Sequence, residues 1–188
     1  MGMSRGMAGA IGAAALAAGV ICAAPAAAAT SGSTGTAGWH WVHEGWQPAV
    51  QGDLTLPAAR YCGTFDLKLV AVSQDVRGKV LSRWDNGTPK DTYYTGPLTT
   101  KAINEATGKS KDYFMGGAAL ESDSPAGAIQ TYQTFGPVGV GMPAGASQGL
   151  SAGFYVVRGY HEIRFNADGT REVTVAKGPA TNICTQLG

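Results

Sequence analysis

The chain is short of charge, cysteine and histidine, and each scarcity removes a class of function. Its 188 residues carry 14 Lys and Arg against 13 Asp and Glu, for a formal net charge of +1. With both signs interspersed there is no basic stripe for nucleic acid and no polybasic patch for an anionic membrane surface. Histidine occurs only as His40, His43 and His161. One metal site can be assembled on paper, from His40, His43 and Glu44 with His161 arriving from the body of the protein, as a zinc or copper site. Nothing in the segment around His40 and His43 preorganises them, so they read as surface imidazoles among aromatics. No metal and no cofactor are expected. Long apolar runs are missing too: the best stretch lies within the first 30 residues and is poor in large side chains, whereas a membrane span needs about 20 predominantly apolar residues.

That first stretch has a different logic. Arg5 is followed by an uncharged Ala/Gly-rich run with Ile11, Leu16, Val20 and Ile21, then Pro25 and four alanines. A charged start, an apolar middle and a small-residue end are the pattern of a secretory signal peptide, which places residues 1–29 in a leader and the mature start near Thr30. A lipid anchor on Cys22 fits poorly, because Ile21 stands where a small residue belongs. Loss of the leader leaves Cys62 and Cys184, and an even pair in an exported chain reads as a disulfide. It also removes Arg5, so the mature chain is formally neutral. We expect a secreted, extracellular monomer with no membrane insertion after cleavage.

Residues 30–60 read as a linker and a Trp/His-rich segment. Ser31 to Gly38 is Ser/Thr/Gly/Ala, the composition of a flexible tether. WHWVHEGW, Trp39 to Trp46, then places three tryptophans within eight residues.

From Tyr61 to Gly188 the signals are strands and turns. Leu67, Leu69 and Ala71 alternate with polar neighbours at the period of two of a half-buried strand, and Val70 and Val72 suggest cover on both faces at its end. Tyr160–Phe165 and Thr170–Val175 form a hairpin around Asn166–Gly169, where Gly169 accepts a positive φ. A second hairpin turns at Asn104–Gly108. Further strands fall near Lys79–Trp84, Ala128–Phe135 and Leu150–Val157. The Gly/Pro-dense stretch between Phe135 and Leu150 reads as a loop, and no helical periodicity is evident after the leader. Seven or eight short strands point to an all-β antiparallel barrel, with a β-sandwich as the alternative. The bridge favours the barrel: Cys62 precedes the first of these strands and Cys184 follows the last, which would make those strands neighbours and close the sheet.

The run GPLTTKAINEATGKS, together with the terminal NICTQLG, resembles a group of small secreted actinobacterial proteins of uncharacterised function. The resemblance covers roughly residues 61–188. It implies secretion and a β fold, and it carries over no active site.

Candidate chemistry is thin. Gly145-Ala-Ser147-Gln-Gly149 matches the pattern of a hydrolase nucleophile elbow, but no helix follows it, and His161 and Asp168 come in the wrong order. Gly108-Lys109-Ser110 ends like a phosphate-binding loop, with Ile103 where the leading glycine belongs. Asn86-Gly87-Thr88 is a glycosylation sequon by pattern alone. What remains is ligand binding. Trp39, Trp41 and Trp46 offer flat rings for stacking. His161 alternates with Ile163 and Phe165, so it faces the apolar side, either satisfied in the core or lining a cavity; Glu162 falls on the opposite face. The expectation is a non-catalytic binding protein for a small ligand or an extracellular surface, a glycan or the cell envelope. An isomerase or hydrolase working in a lumen near His161, and a structural envelope-associated module, are the alternatives.

Overall fold

A computed structural model describes residues 37–145 and 149–188. The leader, most of the linker and Ser147 lie outside the described residues. The architecture is all-β and antiparallel, with strands β1 (Trp39–Trp41), β2 (Gln47–Pro48), β3 (Leu54–Leu56), β4 (Leu67–Gln74), β5 (Arg77–Trp84), β6 (Pro89–Thr95), β7 (Leu98–Asn104) and β8 (Ser110–Phe114). Then follow β9 (Ala118–Asp123), β10 (Ile129–Phe135), β11 (Val138–Met142), β12 (Gly153–Val157), β13 (Tyr160–Phe165), β14 (Arg171–Lys177) and β15 (Ala180–Asn182). One turn of helix, α1 (Ile183–Leu187), comes last. It is too short to leave a periodic trace in the sequence, and it is started by the Asn182 side chain, which accepts from the Cys184 amide.

Strands β4 to β15 are the halves of six long ones. Gln74 stands opposite Leu98 in β4–β7, and three residues on Arg77 stands opposite Thr95 in β5–β6, so the register runs through unchanged. The same continuity links Thr99↔Phe114 to Thr95↔Ala118, Phe135↔Tyr160 to Val138↔Val157, and Tyr160↔Lys177 to Val157↔Ala180. Each long strand breaks once, at the same level, along a crease that includes Gly96-Pro97, Gly136-Pro137 and Gly178-Pro179. The crease stays hydrogen-bonded: Asp75 donates to the Pro97 carbonyl at 3.0 Å, Gly117 to Pro137 at 2.9 Å and Arg158 to Pro179 at 2.9 Å. Proline lacks the amide a regular ladder needs but keeps this carbonyl. Glycine precedes it because the backbone there is left-handed and crowded: at Gly96 φ is +129°, and a Cβ would overlap the Asp75 carbonyl oxygen.

On one side of the crease lies a large sheet in the order β1-β5-β6-β9-β10-β13-β14, with β2 also on β5. On the other side the sheet divides between β8 and β11 into a four-stranded sheet, β3-β4-β7-β8, and a three-stranded one, β11-β12-β15. The three-stranded sheet is the middle layer, since every residue of β11 and β12 is buried. One of its faces gives Phe154 and Val156 to a core with Leu67, Leu69, Leu98 and Met115. Its other face gives Val138, Val140, Met142, Tyr155 and Val157 to a core with Ala119, Tyr132 and Ile163 of the large sheet.

Four expectations are corrected here. The sheets are open and stacked in a sandwich-like way; none closes into a barrel. The Cys62–Cys184 bridge is present, with Cα atoms 5.2 Å apart, but Cys184 sits in α1, which packs on β12 and β7. The bridge therefore ties the turn before β4 to that helix rather than joining first and last strands side by side. The stretch from Phe135 to Leu150, expected as a loop, contains the buried strand β11, whose Gly139 and Gly141 serve packing, not turning. Val72, placed under cover by its pattern, is exposed.

Candidate ligand-binding face

Directly paired residues of an antiparallel sheet share a face, so the register alone maps the surface of the large sheet. Lys79, Tyr93, Leu120, Gln133, Glu162 and Val175 stand opposite one another in turn across five strand pairings. A second row two residues along runs Arg77, Thr95, Ala118, Phe135, Tyr160 and Lys177. Every member of both rows is at least partly exposed, whereas Ala119, Thr134 and His161 in the row between them are buried. The two rows therefore form an outer face with no layer of the described residues over it.

Aromatic rings border this face at both ends. Trp46 lies edge-on to Tyr93 with centroids 6.0 Å apart, and Phe135 leans on Tyr160 at 5.2 Å. At the β1 edge, Trp39 pairs opposite Trp84 and Trp41 opposite Ser82. Trp39 and Trp41 meet as a T, at 5.3 Å and 84° between planes. Trp39 and Trp41 are held in the sheet by their backbones while their rings stay accessible, 44% and 65% exposed, and Trp46, just before β2, is 44% exposed.

Between the aromatics lie polar groups whose positions are fixed. Lys90 Nζ sits 4.6 Å from the Trp39 ring centroid and 2.7 Å from an Asp91 oxygen. Asp91 also accepts from Ser82 Oγ at 2.6 Å and Ser122 Oγ at 2.7 Å. Burial pushes its carboxyl up, but the bonds from Lys90, Ser82 and Ser122 outweigh that and hold it below the usual range. Glu162 accepts from Gln133 and from the Tyr160 hydroxyl, both at 3.2 Å, and from Thr174 Oγ1 at 2.9 Å.

His161 does not belong to this face. It is 1% exposed on the inner side, its Nδ1 has no hydrogen-bond partner, and burial lowers its pKa against a backbone bond at Gly178 that raises it. Nor does the imagined metal set come together. Glu44 receives a forked pair from Arg83, Nε to Oε1 at 2.6 Å and Nη2 to Oε2 at 3.1 Å, and its pKa is lowered by that bond first. His40 lies 3.4 Å from Asp85. His161, in β13, is five strands from β1, about 24 Å at the usual strand spacing. Among the described residues no group of three or more His, Cys, Asp and Glu side chains could hold a metal ion, and no helix is long and apolar enough to cross a membrane.

Tyr93, Gln133, Glu162, Phe135 and Tyr160 were not picked out from the sequence as binding residues. Their adjacency depends on which strands pair, and only the register supplies it. Glu121 was missed as well. Alternation around Leu120 suggests an outward Glu121, yet Leu120 is outward and Glu121 is 8% exposed on the inner side. In comparisons with known proteins, no family model matches the chain, and neither a curated protein nor a solved structure does.

Proposed function

We propose that the protein is a secreted, non-catalytic binding protein that holds an extended extracellular glycan along the outer face of its large sheet. The observation that supports this reading is the uncovered double row of side chains, with Trp46–Tyr93 at one end and Phe135–Tyr160 at the other. Rings of this kind stack on the apolar faces of sugars, and Gln133, Glu162 and Lys79 lie among them as donors and acceptors for hydroxyls. Tyr93 and Phe135 are two strands apart, about 10 Å across the sheet, a spacing that suits successive sugars better than one small ligand. Secretion rests on the leader pattern, the bridge, and the resemblance to small secreted actinobacterial proteins.

Retention of the mature protein on a panel of insoluble polysaccharides tests the reading. The parent is retained by at least one, and the Trp46→Ala/Tyr93→Ala variant is released. Equal retention of parent and variant would remove the face from consideration. The lumenal enzyme reading draws no support from His161, whose Nδ1 has no hydrogen-bond partner among the described residues and which does not line the cleft beneath the sheet.

A further inference from the structure

At the crease a cleft of about 50 Å³ opens between the two tiers. Leu98, Met115 and Val138 supply apolar wall, Tyr94 and Tyr132 supply aromatic wall, and Glu121 supplies a carboxylate. A carboxylate so buried is costly unless a cation or several hydrogen bonds compensate it. Glu121 has little of either: the Tyr94 hydroxyl donates to Oε1 at a long 3.4 Å, and the ion pairs among the described residues all lie elsewhere. The charge that acts on it is that of another acid. Asp123, two residues along β9, has an Oδ1 that is buried and without a partner, and Asp91 acts on Asp123 in turn. Burial first, then Asp123, raise Glu121 to about 7; burial and Asp91 raise Asp123 to about 6. Above that range the cleft concentrates negative potential in a mostly apolar and aromatic cavity.

A hard metal ion does not suit this wall, because it demands a shell of about six oxygens. An alkylammonium suits it on each count. Its charge answers the carboxylate, its NH donors reach Oε1 and Oε2, tyrosine faces attract cations, and its carbon part replaces water on the apolar wall. The volume limits it to a few heavy atoms.

We propose that this cleft is a binding site for a small organic ammonium ion, its nitrogen against Glu121 and its alkyl group against Leu98, Met115 and Val138. Calorimetric titration of the mature protein with ethylammonium, beside ethanol as the uncharged counterpart, is the test. At pH 8 ethylammonium binds with a Kd of about a millimolar, the range available to so few atoms. Affinity falls at least tenfold at pH 5. At pH 6.5 binding ejects protons, so the measured heat changes with the ionisation heat of the buffer. Glu121→Gln keeps the shape of the side chain and weakens binding at least tenfold; Tyr94→Leu keeps the carboxylate, removes a ring, and weakens it several-fold. Ethanol bound as tightly as ethylammonium, unchanged affinity in either folded variant, or no saturable heat at pH 8 overturns the proposal.

Discussion

Gly139 abuts the ring of Phe154: a Cβ there would come within 2.9 Å of Phe154 Cζ and 2.8 Å of Met115 Sδ. β11 thus presents Val138, Val140 and Met142 to one core and bare backbone to the other, where Phe154 of the paired strand β12 and Met115 come to rest. Gly139→Ala is expected to cost about 1–3 kcal/mol by overpacking. Urea unfolding checks it, and a midpoint equal to the parent's would mean that Phe154 and Met115 move aside freely.

Reduction of the bridge bears on stability in a different way. Cys62 and Cys184 are 122 residues apart, and opening so long a loop frees the unfolded chain by on the order of 5 kcal/mol in the chain-entropy model. Cys62→Ser/Cys184→Ser is expected to unfold at markedly lower denaturant, with the larger part of the change in the unfolded state. A loss below about 1 kcal/mol would contradict that account.

Glu121 makes stability depend on pH with an unusual sign. Its folded pKa of about 7 lies above the ordinary 4.5, so the folded state holds a proton that the unfolded state has released. The stabilisation is complete below the unfolded pKa and is lost as pH rises through the folded one, between about 4 and 7. The size of the shift corresponds to on the order of 3 kcal/mol. Asp123 acts in the same direction, whereas His161, with a lowered pKa, acts oppositely near its own range. Comparing Glu121→Gln with the parent isolates the acid. The parent is expected to lose stability relative to the variant from pH 4.5 to 7.5, and parallel profiles would refute it.

Trp41 separates binding from stability most cleanly, being 65% exposed. Trp41→Ala is expected to leave stability within about 0.5 kcal/mol while weakening retention on the polysaccharide that holds the parent. A stability loss approaching the 3–5 kcal/mol typical of a packed tryptophan would reassign it to the core.

Local signals carried the hairpins well. The turn at Asn166–Gly169 and the one at Asn104–Gly108 lie where glycine and asparagine marked them, because turn chemistry is written within a few residues. Layering was not legible. Glycines at 139 and 141 look like breakers in a one-dimensional reading, but they are demanded by Phe154, Met115 and Tyr61 arriving from elsewhere. Closure was misjudged because two cysteines constrain a distance and say nothing about which elements span it. At the candidate site, the tryptophans were legible by type. Tyr93 and Gln133 depended on pairing across the sheet, and Glu121 on which of two alternating faces the tyrosines at 94 and 132 would share.

The crease has a consequence for how the chain finds its fold. Each long strand contributes to both tiers, so a slip of one residue between the β4–β5 and β6–β7 strands would displace Pro97 from its carbonyl bond and Gly96 from its crowded position at once, besides turning core side chains outward. The five registers are thereby set collectively rather than pair by pair, and the tiers have no boundary at which one can open alone. Amide exchange in β10 and in β11 should accordingly slow and quicken together, as parts of a single cooperative unit.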